Sequence, residues 1–221
     1  ALTSDTVILC DASGGAFTIT IPAAAAGNSG KRLIVKKVLS DTSFNAVTLG
    51  TGVSTTLNTL GESVTIVSDG TSWNIVERII PSLWTAYTAT WGWTSNVTPA
   101  SLWKRVGSSI ALQFSIDCTA GPNSATLTVS VPSGLTLDTA KLPHTSTAQP
   151  VGVASYFDNG VGVYFGQLLY FNSSGFLFTV GNSAGTYVTQ ANVSETVPFT
   201  FTNLDTVSAK TFLLPVTNWN A

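Results

Sequence analysis

Apolar and polar residues alternate along much of this chain, with the period of two that is typical of strands with one buried face. Residues 17–21 show the alternation most clearly, and Pro22 ends the segment. Similar segments follow one another, separated by turn sequences rich in Gly, Ser and Asn. The predicted strands are residues 7–10, 17–21, 32–38, 47–49, 63–67, 73–79, 109–118, 125–131, 151–157, 161–171, 176–180, 197–202 and 209–216.

The segments between the predicted strands are turns and loops rather than helices. Asp69-Gly70 joins two strands as a hairpin, because glycine readily adopts the positive φ of a tight turn. Four consecutive alanines, residues 23–26, are too few to nucleate a helix. Residues 133–150 form a long loop with room for one helical turn. These features predict an all-β fold.

The composition of the sequence changes near residues 79–82: short Val/Thr-rich predicted strands lie before this point, and an aromatic cluster follows it. We place a domain boundary there. Residues 1–80 are predicted to form a small β domain and residues 81–221 a larger one. Strand signals every 8 to 12 residues are typical of sandwiches and jelly rolls. The predicted fold is therefore two β-sandwich or jelly-roll-like domains.

The composition is unusual because charged residues make up only 9% of the chain, against about a quarter in ordinary soluble domains. Hydrophobic residues make up 44%, but no apolar run approaches the roughly 20 residues of a membrane-spanning helix. Ser, Thr, Asn and Gly replace the missing charges. We therefore expect a soluble β protein with a neutral polar surface and no membrane insertion.

Charge also argues against a nucleic-acid partner, whose binding depends on clustered Lys and Arg. The net charge is −2 and the nine basic residues are spread over the chain. One basic cluster, formed by Lys31, Arg32, Lys36 and Lys37, is interpreted as a solvated strand edge that prevents unwanted strand pairing.

Candidate catalytic chemistry is sparse. His144 is the only histidine, no nucleophile-elbow motif is present, and a single His cannot build a multi-histidine metal site. The two cysteines, Cys10 and Cys118, lie in apolar segments and are expected to be buried free thiols. The eleven acidic residues are scattered, several of them in turns, whereas a glycosidase needs two carboxyl groups roughly 5 to 10 Å apart. We therefore expect no enzyme activity, no cofactor and no metal.

Aromatic residues are the main candidates for ligand binding. Trp84, Tyr87, Trp91 and Trp93 lie within ten residues, and their rings could stack on neutral sugars. The alternative is that they fill a core or a subunit interface, where aromatic side chains bury large areas. Loop tips supply further candidate ligand-binding residues, namely Tyr156, Asp158, Asn159 and Asn172.

Residues 16–78 resemble a module of phage tail-fibre and fibre-like virion structural proteins. The residues that carry the resemblance are 17–24 (FTITIPAA), 30–37 (GKRLIVKK) and 62–75 (ESVTIVSDGTSWNI). The second part is similar to the C-terminal, receptor-binding β-sandwich domain of such fibres. It shows residues 103–107 (WKRVG), 131–138 (VPSGLTLD), 151–152 (VG) and 212–216 (FLLPV), followed by Trp219.

The resemblance implies a homotrimer on the virion surface, in a tail or head fibre. Residues 1–80 would be a shaft or attachment module and residues 81–221 the tip, with other virion proteins and a host surface glycan or protein as partners. Three alternatives stay open: a capsid decoration or head fibre without a specific ligand, a polysaccharide depolymerase, and a lectin. The lectin is disfavoured because no signal peptide is visible.

Overall fold

The computed structural model describes residues 6–50, 52–146, 149–182, 189–217 and 219. The predicted all-β fold is confirmed: in these ranges the regular structure is β-strand apart from two short 3₁₀ turns, at Ala26–Asn28 and Thr139–Lys141. None of these ranges holds a helix long and apolar enough to cross a membrane. The chain divides into two compact units, Ala1–Ser82 with Trp219–Ala221 and Leu83–Asn218.

The first unit is built from two small sheets. Their strands are β1 (Val7–Cys10), β2 (Phe17–Thr20), β3 (Arg32–Lys37), β4 (Val47–Gly50), β5 (Thr55–Leu57), β6 (Ser63–Ser68) and β7 (Trp73–Ile79). A four-stranded sheet has the order β1-β3-β6-β7, and a three-stranded sheet has the order β2-β4-β5.

The chain alternates between the two sheets of the first unit over its first four strands. Strand β3 pairs in parallel with β1, and β4 pairs in parallel with β2. The later strands pair in an antiparallel manner, β5 with β4, β6 with β3 and β7 with β6. Two successive windings are thus stacked on each other, and an antiparallel region completes both sheets.

The inward faces of both sheets form one apolar core. In β3 and β6 the residues Leu33, Val35, Val64 and Ile66 are almost completely buried, as expected where the pleat turns alternate side chains inward. Trp73 closes the core, and its indole N–H donates to the carbonyl of Pro22 at 2.8 Å. This bond satisfies the one polar group that the ring carries.

Lys37 corrects the interpretation of the basic cluster as a solvated edge. Strand β3 lies between β1 and β6, and the Lys37 side chain is fully buried. Its ammonium donates to the carbonyls of Ser43 at 2.6 Å and Asn45 at 3.0 Å, and it lies 3.3 Å from the Asp41 carboxylate. Lys37 is therefore an internal cation that ties the loop after β3 to the sheet.

The second unit is built on one large sheet. Its strands are β8 (Thr85–Ala86), β9 (Val97–Val106), β10 (Ser109–Cys118), β11 (Thr128–Ser130), β12 (Pro150–Asp158), β13 (Gly162–Asn172), β14 (Gly175–Asn182), β15 (Thr189–Asn192), β16 (Thr206–Thr211) and β17 (Leu214–Pro215). The order in the sheet is β11-β14-β13-β12-β16-β10-β9-β8. Strand β15 pairs with β14, and β17 pairs with β10.

The two ends of this sheet are joined by the segment that follows β8. At one end of the sheet, β8 pairs with β9. Further along, the N–H of Ser130 in β11 donates to the Thr90 carbonyl at 2.9 Å, and the N–H of Gly92 donates to the Thr128 carbonyl at 3.0 Å. The sheet therefore closes on itself around a single core, which is consistent with a β-sandwich.

The predicted strands and the structure of the second unit disagree clearly in two segments. Residues 197–202 were predicted as a strand but form none, and Val197 makes only an isolated bridge to Ser194. The ten-residue strand β9 was not among the predicted strands, because Pro99 and the charged pair Lys104 and Arg105 interrupt its alternation. The long loop at 133–150 carries the short turn Thr139–Lys141, as predicted.

Candidate binding surface of the second unit

Trp91 and Trp93 lie in the core of the second unit, with 8% and 1% of their surfaces exposed. The Trp91 ring meets Phe114 edge-on at 5.8 Å. Trp93 packs on Phe201 at 4.9 Å, and its indole N–H donates to the Ala125 carbonyl at 2.9 Å. Neither ring presents a face on which a sugar could stack without disrupting this packing.

Trp84 and Tyr87 lie nearer the surface. Trp84 is 38% exposed, and the Lys104 ammonium lies 4.9 Å above its ring in a cation–π contact. The Tyr87 hydroxyl donates to the Ser130 carbonyl at 2.9 Å, and burial raises the pKa of this phenol. Tyr87 thus anchors the segment after β8, whereas Trp84 keeps an accessible ring that already carries a cation.

The predicted loop residues Tyr156, Asp158 and Asn159 have different roles. Tyr156 is fully buried, its hydroxyl donates to the Thr179 carbonyl at 2.9 Å, and burial raises the pKa of its phenol. Asp158 and Asn159 form the turn between β12 and β13. The Asn159 N–H donates to the buried Asp205 carboxylate at 2.8 Å. This bond holds the turn against the loop that precedes β16.

Asn172 is the last residue of β13, whereas Asn159 lies in the turn before that strand begins. Its side-chain carbonyl accepts a hydrogen bond from the Ser174 N–H at 2.8 Å, a contact that shapes the turn into β14. The eight predicted binding residues are consequently divided among the core, two turns and one surface ring. The structure does not bring them together in one site.

A surface that the sequence did not reveal lies on the outward face of β10, β16, β12 and β13. Large apolar side chains are exposed there on the two strands of the β12–β13 hairpin and next to its turn. Phe165 is the most exposed of them, at 76%. The others are Val153, Phe157, Val161 and Val163. An exposed apolar cluster of this kind on a protein surface is typical of a binding site.

The strand register aligns three serines across the middle of this face. Ser115 of β10 is opposite Ser208 of β16, which is opposite Ser155 of β12, which is opposite Phe165 of β13. Within the described ranges none of the three serine hydroxyls makes a hydrogen bond. We call these three residues the serine row, and the Phe165 ring stands at its end.

Longer side chains flank the serine row on both sides. One flanking row contains Gln113, Lys210 and Val153, and the other contains Asp117, Thr206 and Phe157. Residues two apart on a strand are separated by about 7 Å, so each flanking row runs roughly that far from the serines. The short side chains of Ser155 and Ser208 therefore form the floor of a concavity.

This concavity has a volume of about 430 Å³. It is lined by part of the serine row, by Phe165 and by one flanking row, namely Ser155, Ser208, Phe165, Gln113, Lys210 and Val153. We call it the Phe165 groove. A second concavity of about 370 Å³ lies on the other side of the same ring and includes Gln167 and Gln190. The amide of Gln190 donates to that of Gln167. Phe165 thus separates two hollows, each with polar groups in its lining.

The groove offers hydrogen bonding and stacking rather than acid–base chemistry. Lys210 is the charged side chain of its lining. Asp117 belongs to the other flanking row, outside the lining. In the part of the chain that the structure describes, no three His, Cys, Asp or Glu side chains are grouped closely enough to hold a metal ion. His144 is exposed in the loop before β12.

A signal for this surface exists in the sequence. Apolar residues of the segment 161–171 occupy both alternating sets of positions: 161, 163, 165, 169 and 171 in one set, and 164, 168 and 170 in the other. A strand with a single buried face would have them in one set only. The pattern indicates that β13 has large apolar residues on both faces, but it does not show which serines align with them.

Comparison with known proteins found no match: no family model fits the chain, and no curated protein or solved structure is significantly similar to it. Its function is therefore argued from its own fold and surface.

Proposed function

We propose that this chain is a module of a phage fibre on the virion surface that binds a glycan or protein of the host cell during adsorption. The resemblance of residues 16–78 and of the second part to fibre proteins supports this proposal. Two separate β units also suit a shaft or attachment module followed by a tip domain. The protein acts by binding and carries out no catalysis.

The observation that carries the proposal is the exposed Phe165 ring between two concavities. A phenyl ring that is 76% exposed contributes little to the stability of the fold, because hydrophobic stabilisation is proportional to the apolar area removed from water. The same ring, in a cluster with Phe157 and Val163, would stabilise a complex in which a ligand covers it. The rigid strands β12 and β13 hold the ring in place for this contact.

The module is a homotrimer in this proposal, with a jelly-roll-like tip. Only 9% of the residues are charged, so identical subunits repel each other weakly when they pack closely. Its partners are two further copies of itself, other virion proteins and the host surface.

The test is binding of the fluorescently labelled full chain to a panel of bacterial strains. We expect labelling of particular strains, and loss of labelling with the variant Phe165→Ala. Phe171→Ala is the matched control, because Phe171 is an exposed phenylalanine of the same strand outside the groove. Periodate treatment of the cells removes a glycan receptor, and protease treatment removes a protein receptor. Absence of labelling on every strain would contradict the proposal.

The second candidate is a purely structural decoration of the capsid or a head fibre without a specific ligand. Val161 and Val163 favour it, since exposed β-branched apolar residues beside Phe157 suit packing against a neighbouring subunit. A stable oligomer that labels no cell, and in which Val163→Asp disrupts assembly, would support this candidate over host binding.

A further inference from the structure

We infer that the Phe165 groove binds a linear, neutral polysaccharide that lies across the strands, with one sugar ring stacked on Phe165. This inference rests on the proposed function and specifies its ligand. It follows from four properties of the groove: its floor, its aromatic end, its charge and its direction relative to the strands.

The floor consists of hydroxyl groups that have no partner within the described chain. Ser208 and Ser155 line the groove, and Ser115 continues their row on β10, outside the lining. Each of the three offers one donor and two acceptor positions. Sugar hydroxyls have the same dual capacity. A carbohydrate can therefore form hydrogen bonds along the whole floor whichever way each hydroxyl points.

The aromatic end supplies the apolar part of the contact. Phe165 projects from β13 directly opposite Ser155 of the neighbouring strand. A sugar ring has one face of C–H groups, which can cover the phenyl face while hydroxyls at the ring edge reach the serine floor. Gln167 and Gln190, beyond the phenyl ring, can receive the next unit of the chain.

The charges beside the serine row do not favour a strongly anionic polymer. Lys210 lines the groove, and Asp117 lies on the other side of the serine row, outside the lining. A polymer that lies along the serine row with a negative charge on each unit would therefore pass between one ammonium and one carboxylate. A neutral chain loses no charge hydration on entering the groove.

The direction of the groove excludes an extended peptide. A peptide strand is recognised by adding to a free sheet edge through main-chain hydrogen bonds, whereas β10, β16, β12 and β13 are each paired on both sides. The serine row instead runs across the strands, and Ala100 of β9 extends it opposite Ser115. From β9 to β13 this is about 19 Å, at about 4.8 Å per strand, which is enough for several sugar units.

The test is a glycan array of neutral and anionic oligosaccharides probed with the full chain, followed by calorimetric titration of the best binder. We expect neutral linear oligosaccharides of four or more units to bind. Phe165→Ala should weaken the affinity about tenfold or more, through loss of the stacked ring. Ser155→Val and Ser208→Val should each weaken it roughly three- to tenfold, since each removes hydrogen bonds but keeps strand propensity. Phe171→Ala is the control and should bind within about twofold of the parent chain.

Three outcomes would overturn the inference: binding of anionic glycans in preference to neutral ones, binding of no glycan at all, or equal weakening by Phe165→Ala and Phe171→Ala. Thermal melting of each variant separates a lost contact from lost folding. If the chain labels cells but binds no glycan, the inference fails while the proposed host binding stands. If it labels no cells either, both fail.

Discussion

Glu62 is a fully buried carboxylate at the start of β6. One of its oxygens accepts hydrogen bonds from the backbone N–H groups of Asn58 and Thr59, at 2.7 and 3.1 Å. The other accepts two from the guanidinium of Arg78, at 2.6 and 3.1 Å. This single side chain therefore accepts the hydrogen bonds of two backbone N–H groups in the loop after β5 and pairs with the largely buried cation of β7.

The variant Glu62→Ala should lower the free energy of unfolding by about 3 to 5 kcal/mol, because it removes the carboxylate that neutralises the largely buried Arg78 and the acceptor of two backbone donors. Urea denaturation measures the change. The control is Arg32→Ala, which breaks the exposed pair of Arg32 with Glu77, where the side chains are 60% and 51% exposed. That substitution should cost less than about 1 kcal/mol. Equal losses in the two variants would contradict this account of Glu62.

The environment of the Asp41 carboxyl group predicts that the first unit becomes less stable in acid. Burial opposes its ionisation, but hydrogen bonds from the Ser43 hydroxyl and the Ala12 N–H, together with the Lys37 ammonium, outweigh burial and hold its pKa below 3.8. A carboxylate with a lowered pKa binds its proton more weakly in the folded than in the unfolded state. Its stabilising effect is thus complete above the ordinary value and disappears as the pH falls below it.

The urea midpoint of the first unit's unfolding should therefore fall as the pH is lowered from about 5 to about 2.5, and Asp41→Asn should flatten this dependence. Tryptophan fluorescence from Trp73, in the core of that unit, reports the transition. A slope unchanged in Asp41→Asn would contradict the role of this carboxylate.

Single residues differ in how far the sequence predicts their environment. Cys10 and Cys118 are buried free thiols, as their apolar segments indicated. Burial, with a smaller effect of Asp205, raises the pKa of Cys118 to about 11. Lys37 could not be predicted in the same way. Its burial depends on β3 lying inside the sheet and on Asp41 folding back toward it, and a charged residue in an alternating segment carries no sign of either.

At the scale of elements, the seam at Gly92 holds the sheet of the second unit closed. A Cβ atom added there would lie 2.2 Å from the Thr126 carbonyl oxygen and 2.9 Å from the Thr128 nitrogen. Backbone atoms cannot move aside as a flexible side chain can, so no residue with a side chain fits without separating the paired segments.

Gly92→Ala should consequently destabilise the second unit by about 1 to 3 kcal/mol, the usual cost of overpacking. It should also raise hydrogen exchange at the Gly92 and Ser130 amides, which bond across the seam. Gly162→Ala is the control, because its Cβ would meet nothing within 4 Å. That variant should differ from the parent by no more than about 0.5 kcal/mol. Unchanged exchange at the seam in Gly92→Ala would contradict the closure.

The bounds of strands could be predicted where the apolar alternation and the turn residues agree. The partner strands with which they pair in the sheet could not be predicted. β7 and β10 have the predicted bounds, and the Asp69-Gly70 hairpin forms, with Gly70 at a φ of 94°. The Phe165 groove escaped prediction because it exists only through register. Ser115, Ser155 and Ser208 are far apart in the chain, and nothing local indicates that they share a row.

At the scale of the whole molecule, the proposed trimer predicts a mass three times that of the 23.0 kDa chain in multi-angle light scattering. With so few charged residues, the assembly should persist from low salt to about 1 M NaCl, where surface charges are screened. The measurement should be repeated over a hundredfold range of protein concentration. A monodisperse monomer throughout would count against the fibre proposal.

The winding path of the first unit gives it a property that antiparallel hairpins lack. Because β3 stacks on β1 and β4 on β2, each winding adds one strand to each sheet and repeats the same inward apolar positions. Repeats that contact only their neighbours can be gained or lost as whole units. A duplication of one winding would extend this unit in a fixed increment without changing any residue of the Phe165 groove. Its length is in this sense a variable that evolution or design can adjust separately from what the groove binds.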